Sequence, residues 1–131
     1  MEFARAKQTE LGEIKALADV SLRGKLSLSY FEKRLRDFFY VAKEEGKIVG
    51  FILVEGLTLS LLVVEKAKRH QGIASAMVGF ALKESPELFL KVRESNAEAQ
   101  KYYRDNGWKY WGKANGAFKN REAGLIYSKR A

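Results

Sequence analysis

The apolar positions of this chain switch repeatedly between a period near 3.6 and the tighter spacing of strands, and each switch marks an element boundary. "EFARAK" (residues 2–7) has the make-up of a short first strand. Leu11, Ile14, Leu17, Ala18 and Ser21 then share one helical face. Leu28, Phe31, Leu35 and Phe38 share another, with Ser29 and Glu32 in capping-box spacing at its start. "FFYVAKEEGKIVGFILVEG" (38–56) reads as a hairpin turning at Gly46, and "LTLSLLVV" (57–64) as the next strand. A third helix begins near Gln71, presents Ile73, Ala76, Met77, Phe80 and Ala81 on one face, and stops before Pro86. "LFLKV" (88–92) is a short strand. "SNAEAQKYYRDNG" (95–107) is a helix with a Ser95–Glu98 capping box at one end and Gly107 suited to a left-handed cap at the other. Trp108–Gly112 and Ala123–Tyr127 complete the strands, around a basic loop.

The order is therefore β-α-α-β-β-β-α-β-α-β-β, which predicts an α/β (α+β) fold with a mixed sheet covered by about four helices. No repeat, low-complexity run or linker interrupts it, so residues 1–131 are expected to form a single domain.

Composition narrows the chemistry. Hydrophobic residues make up 47% and charged residues 31% of the 131, as in a packed globular domain. There is no cysteine, which excludes a disulfide scaffold, a thiolate metal site and a cysteine nucleophile. A single histidine makes a zinc site an unfavourable expectation, and no metal is expected. No apolar run approaches the roughly 20 residues of a membrane span, and the N-terminal residues lack the apolar core of a secretory signal, so a cytoplasmic protein is expected. Twenty-four Lys and Arg against 16 Asp and Glu give a net charge of +8, which attracts polyanions without choosing among them.

The choice is made at "KAKRHQGIASAM" (66–77), where basic residues feed a glycine at a helix start. The first N–H groups of a helix have no intrahelical partner and sit at the positive end of its dipole. Gly72 and Ala74 let an anion approach them, and Lys66, Lys68 and Arg69 add charge. Neither the P-loop string nor the dinucleotide fingerprint occurs; what occurs is R-x-x-G-x-A, as Arg69, Gly72 and Ala74. Downstream, Asn96, Ala99, Tyr103, Gly107 and Trp108 spell N-x-x-A-x-x-x-Y-x-x-x-G-W. Asn96 and Tyr103 lie about two turns apart on one helix face, with small Ala99 between them.

Both strings resemble the signatures of the GNAT (Gcn5-related N-acetyltransferase) family, and the element order suits that family's fold over almost the whole chain. The resemblance implies an acetyl-CoA-dependent N-acetyltransferase that passes an acetyl group directly to a primary amine in a ternary complex. The amine would belong to a protein N-terminus, a lysine or a small molecule. Coenzyme A would rest its pyrophosphate on Arg69, His70, Gln71, Gly72, Ile73, Ala74 and Ser75. Its pantetheine arm would run along Leu62, Val63 and Val64, and Asn96 would bond that arm or a water. Tyr103 resembles the family's general acid, which protonates the leaving thiolate. For the base, Glu55 and Glu94 flank the expected cleft and would act through a water. "VRESN" is similar to the string of family members that acetylate ribosomal-protein N-termini, but Lys91 stands where those carry a glutamate. The segment 22–38 would wall the acceptor pocket, with Tyr30 as a contact.

Two other readings remain open at this level. Lys109, Tyr110, Trp111, Lys113, Phe118, Lys119 and Arg121 mix aromatic and basic residues as a nucleic-acid surface does, although no recognised binding signature accompanies them. A non-catalytic module that only holds acyl-CoA would keep the same fold. The sequence is silent on oligomeric state.

Overall fold

The computed structural model of the chain describes residues 1–22 and 24–131, arranged as two compact units, Met1–Ala81 and Leu82–Ala131. Arg23, within the segment expected to wall an acceptor pocket, lies outside the described residues.

The first unit contains β1 (Glu2–Arg5), α1 (Leu11–Ser21), α2 (Leu28–Glu32), β2 (Phe38–Glu44), β3 (Lys47–Glu55), β4 (Thr58–Val64) and α3 (Ile73–Leu82), whose last residue is counted with the second. Its strands run in the order β1-β2-β3-β4, each pair antiparallel. The hairpin turn falls on Glu45 and Gly46, both at positive φ (53° and 79°), as a two-residue turn that follows the twist of its strands requires.

Every residue of β3 from Ile48 to Val54 is buried, the mark of a strand covered on both faces. One face carries Phe51 and Leu53, which join Phe39, Val41 and Val63 under Leu11, Ile14 and Ala18 of α1 and Phe31 of α2. Phe31, Phe39 and Phe51 form a triangle with ring centroids 5.9–6.1 Å apart. On the other face α3 buries Ile73, Met77, Val78, Ala81 and Leu82. Gly50 is its seat: a Cβ there would stand 2.8 Å from the Val63 carbonyl oxygen and 3.2 Å from Met77 Cε.

The second unit comprises β5 (Glu87–Arg93), α4 (Ala97–Asp105), β6 (Lys109–Ala114) and β7 (Gly124–Arg130), with antiparallel strands in the order β5-β7-β6. Its buried residues include Leu88, Leu90, Val92, Trp108 and Tyr127. The element order is the one the hydrophobic pattern predicts.

Three details differ from the pattern. The second helix is only five residues long and is capped by Ser27, whose hydroxyl accepts from the Tyr30 N–H, so Ser29 lies inside it. After Glu32 the chain tightens into i→i+3 turns, Arg34 to Phe31 and Asp37 to Arg34, and Phe38 opens β2 instead of closing a helical face. Ala76 is exposed, because the buried stripe of α3 runs through Val78 and Leu82 instead. The fourth helix is capped by Asn96, not Ser95, whose N–H is already bonded to Glu122.

Gly50→Ala should therefore lower stability by about 1–3 kcal/mol, because the added methyl meets a backbone carbonyl that cannot swing aside. The check is the melting temperature, expected to fall by several degrees, while Gly12→Ala, with nothing within 4 Å of its Cβ, should leave it unchanged or raised.

Candidate active site

In the first unit the chain leaves β4 at Val64, makes a single 3-10 turn over Lys66–Lys68 and enters α3 at Ile73, two residues later than the sequence suggests. The delay has a backbone cause. His70 and Gly72 both sit at positive φ, 64° and 81°, and neither value can belong to a right-handed helix. Gly72 is the residue whose carbonyl accepts the first intrahelical bond, from Ala76 at 3.0 Å. The N–H groups of residues 70–75 donate to no protein acceptor among the described residues. All of His70, Gln71, Gly72 and Ser75 are exposed. The result is a row of outward N–H groups at the positive end of a ten-residue helix.

The basic residues around this row do not all face it. Lys68 pairs with Glu44 at 2.6 Å, and Arg69 turns its Nε back onto the Val64 carbonyl oxygen at 3.0 Å. Lys66 is exposed, with no acidic partner among the described residues. Leu62, Val63 and Val64 pair with Ile52, Phe51 and Gly50 on β3. Val63 and Val64 are buried and Leu62 is half-buried.

Glu55 lies at the other end of the same ladder, opposite Thr58. Six residues of strand, or about 20 Å, separate that level from Val64. Its carboxylate is already engaged: Ser60 Oγ donates to it at 2.7 Å and Arg34 Nε lies 3.3 Å away. Ser60 is the extra residue of a β-bulge, which re-aims its side chain. Arg34 in turn stacks 3.6 Å over the Tyr30 ring and donates to the Tyr30 carbonyl. Burial raises the Tyr30 hydroxyl above the ordinary tyrosine value, against a smaller opposing effect of Arg34. Tyr30, Arg34, Glu55 and Ser60 thus form one cluster; Arg34 and Ser60 were not legible from the sequence, since neither belongs to a motif.

In the second unit Tyr103 is fixed by the way α4 ends. Gly107 has φ 88°, the Trp108 N–H reaches back to the Tyr103 carbonyl (2.9 Å) and the Gly107 N–H to that of Arg104 (3.2 Å). This is the paired bonding of a Schellman cap, with the usual apolar contact supplied by the Tyr103 and Trp108 rings, 5.8 Å apart. Trp108 is buried, and the Tyr103 hydroxyl has no hydrogen-bond partner among the described residues. Burial, and to a lesser degree Tyr102, pushes that hydroxyl above the ordinary tyrosine value, so it holds its proton at neutral pH. At the other end of α4, Asn96 Oδ1 accepts from the Ala99 N–H at 3.1 Å; the side chain expected to meet a ligand spends its oxygen capping the helix. Glu94 is exposed and pairs with Lys113 at 2.9 Å.

Glu122 is a residue the sequence reading passed over, although it is the one acid in the basic loop "AFKNREAG". It accepts from the Ser95 N–H (2.7 Å) and from Arg93 (3.1 Å). Ser95, through its hydroxyl and its backbone N–H, holds the Glu122 carboxyl down to about 2, with Arg93 assisting. The aromatic-basic residues of the nucleic-acid reading are dispersed: Tyr110 and Trp111 are exposed on β6, while Phe118 lies under Lys91 and Arg93. No helix among the described residues is long and apolar enough to cross a membrane.

Residues 36–110, more than half of the chain, match the family model described as an acetyltransferase (GNAT) domain. The chain belongs to the GNAT acetyltransferase family. It is 32% identical over 71 residues to the peptidyl-lysine N-acetyltransferase YjaB of Escherichia coli (strain K12), covering 54% of this chain and 48% of that one. It is 25% identical to an N-alpha-acetyltransferase of Sulfurisphaera tokodaii, across 79% of this chain and 77% of the other. The chain spans about half the length of the first curated relatives it matches. Among solved structures, the NatB acetyltransferase complex bound to CoA and MES has the same fold, with a TM-score of 0.82 over 99% of both chains at 16% identity.

The depressed Glu122 carboxyl has a signed consequence. Its folded value of about 2 lies below the ordinary glutamate value of 4.5. Its stabilising effect is therefore complete above the unfolded value and is lost as pH falls from there toward 2. Melting curves of the wild type and Glu122→Gln should accordingly differ most at pH 6–7 and converge as pH is lowered through that window.

Proposed function

We propose that residues 1–131 act in the cytoplasm as one acyl-CoA N-acyltransferase domain that moves the acetyl group of acetyl-CoA directly to a primary amine of a protein. The observation that carries this reading is the row of unbonded N–H groups over residues 70–75, held open by positive φ at His70 and Gly72. It matches what a pyrophosphate requires of a helix start. Family membership and the CoA-bound NatB structure of the same fold support it. Relatives named for peptidyl-lysine and for N-alpha acetylation support a protein amine as the acceptor.

In this reading coenzyme A lays its pyrophosphate on the N–H groups of His70 to Ser75, beside Arg69 and Lys66. The pantetheine arm follows the main chain of Leu62 to Val64, and the amide of Asn96 bonds it. The neutral amine attacks the thioester carbonyl; the C–N bond forms as the C–S bond breaks, Tyr103 donates its proton to the departing sulfur, and the proton shed by the new amide nitrogen restores the tyrosine. Its raised affinity for that proton keeps the hydroxyl in the donating form across the working pH range. No cysteine exists to take the acetyl group in a relay. The amine must first be neutral, which at pH 7 costs roughly 1–1.4 kcal/mol for an α-amine and about 4.6 kcal/mol for a lysine. Water passes that proton to Glu55, which lies beside Arg34, or to Glu94, which lies beside Lys113.

Acetyl-CoA and CoA at about 100 times their dissociation constants should each raise stability by about 2.7 kcal/mol, and more than ATP does at matched ionic strength. No shift with either would remove the reading. Gly72→Ala introduces no clash but does not suit φ 81°, so binding of both should weaken about tenfold, or about 1.4 kcal/mol. Tyr103→Phe should lower kcat roughly 100-fold in a thiol-release assay with lysine and N-terminal peptides, leaving the KM for acetyl-CoA within about threefold. Unchanged pH–rate profiles in both Glu55→Gln and Glu94→Gln would exclude the two carboxylates as proton acceptors.

A further inference from the structure

We infer that Glu122 is a positioning residue for Tyr103, acting by anchoring the front of α4 to the loop between β6 and β7. The inference rests on the reading of Tyr103 as the proton donor. Its starting point is a weakness of α4: the nine-residue helix has no fully buried residue. A helix this short is marginal in water unless tertiary contacts hold it. Its back end has such contacts in the Tyr103–Trp108 pair and the Schellman bonds. Its front end is held by polar groups.

Glu122 is the centre of that front anchor. One oxygen accepts from the Ser95 N–H at 2.7 Å, directly ahead of the Asn96 cap, and the other accepts from Arg93 at 3.1 Å. Asn120 Oδ1 takes further bonds from Arg93 and from the Glu122 N–H, both at 3.1 Å, so the carboxylate cannot swing away alone. The Glu94 N–H reaches the Ala123 carbonyl at 3.0 Å, closing the loop onto the strand end. The Arg93 guanidinium also lies 4.1 Å from the Phe118 ring centre. Gln100 finishes the front of α4 by donating to the Arg93 and Glu94 carbonyls. A carboxylate at a helix N-terminus is moreover favoured by the dipole.

Ser95 and Tyr103 are eight positions apart, about 12 Å along a helix. If the front loosens, α4 pivots on its Trp108 end and the Tyr103 hydroxyl changes direction. Proton donation is sensitive to that: a misplacement of about 1 Å costs roughly 100-fold in rate.

The experiment pairs hydrogen exchange with kinetics in Glu122→Ala, Glu122→Gln and Asn120→Ala. In Glu122→Ala, exchange over Ala97–Asp105 should rise about tenfold while that of α1 stays unchanged. Per folded molecule, kcat should fall about tenfold or more, with the KM for acetyl-CoA within about twofold. Glu122→Gln, which keeps an oxygen for Ser95, should recover most of the loss, and Asn120→Ala should show a smaller version of it. In a Tyr103→Phe background, Glu122→Ala should add no further loss of kcat. Unchanged exchange over α4, or a kcat loss fully additive with Tyr103→Phe, would overturn the inference. If Glu122→Ala does not fold, Asn120→Ala carries the same test, and unchanged exchange over α4 in it would overturn the inference. A wild type that binds acetyl-CoA yet turns over no amine, with the exchange result intact, would count against the role of Tyr103 and leave the anchor standing.

Discussion

The arrangement of the first unit depends on the burial of β3 on both faces. A strand buried at every position from Ile48 to Val54 must be covered above and below. The aromatic triangle of Phe31, Phe39 and Phe51 under α1 and α2 meets that demand on one side, and α3 meets it on the other. The α3 side leaves no room for a side chain at position 50, where a Cβ would stand 2.8 Å from the Val63 carbonyl oxygen and 3.2 Å from Met77 Cε of the helix. The position of α3 is thereby set relative to the end of β4, and with it the place where the N–H groups of residues 70–75 emerge.

The second unit solves a different problem. In the role proposed for it, Tyr103 needs a protonated hydroxyl without protein partners, which it has among the described residues, on a helix with no fully buried residue. The solution is to grip the helix by its ends. Trp108, reached through the left-handed Gly107, packs edge-on against the tyrosine ring, and burial raises the affinity of the Tyr103 hydroxyl for its proton. Glu122 and Asn96 hold the other end by charge and hydrogen bonds. Polar anchors of this kind act over short distances and leave the Tyr103 hydroxyl unencumbered.

The carboxylates are all engaged, but not equally. Glu55, Glu94 and Glu122 each carry a basic partner, yet their settings differ. Glu122 is pinned by Ser95 as well as Arg93. Glu55 shares Arg34 with the Tyr30 ring. Glu94 is exposed and, among the described residues, its carboxylate meets the end of Lys113. A sequence shows three acids; their roles separate only when their neighbours are known.

Much of the fold was legible because its signals are local. Hydrophobic period, the Gly46 turn and the Gly107 cap depend on residues a few positions apart, so the order of elements and the R-x-x-G-x-A and N-x-x-A-x-x-x-Y strings could be read directly. Capping was less legible, since Ser27 and Ser29 carry the same hydroxyl, as Ser95 and Asn96 both carry capping groups. The second case is decided by Asn96 Oδ1 accepting from the Ala99 N–H, while the Ser95 N–H donates to Glu122 across 27 positions. The sequence by itself determined which residues are apolar, which turns need glycine, and that a glycine-bearing helix start follows a strand. The tertiary structure alone decided that Arg69 folds back on Val64, that Arg34 joins Glu55 to Tyr30, and that Glu122 grips the helix of Tyr103. In each of them a charged side chain takes a partner that the folded backbone brings to it, and nothing in the side chain's identity states which partner that will be.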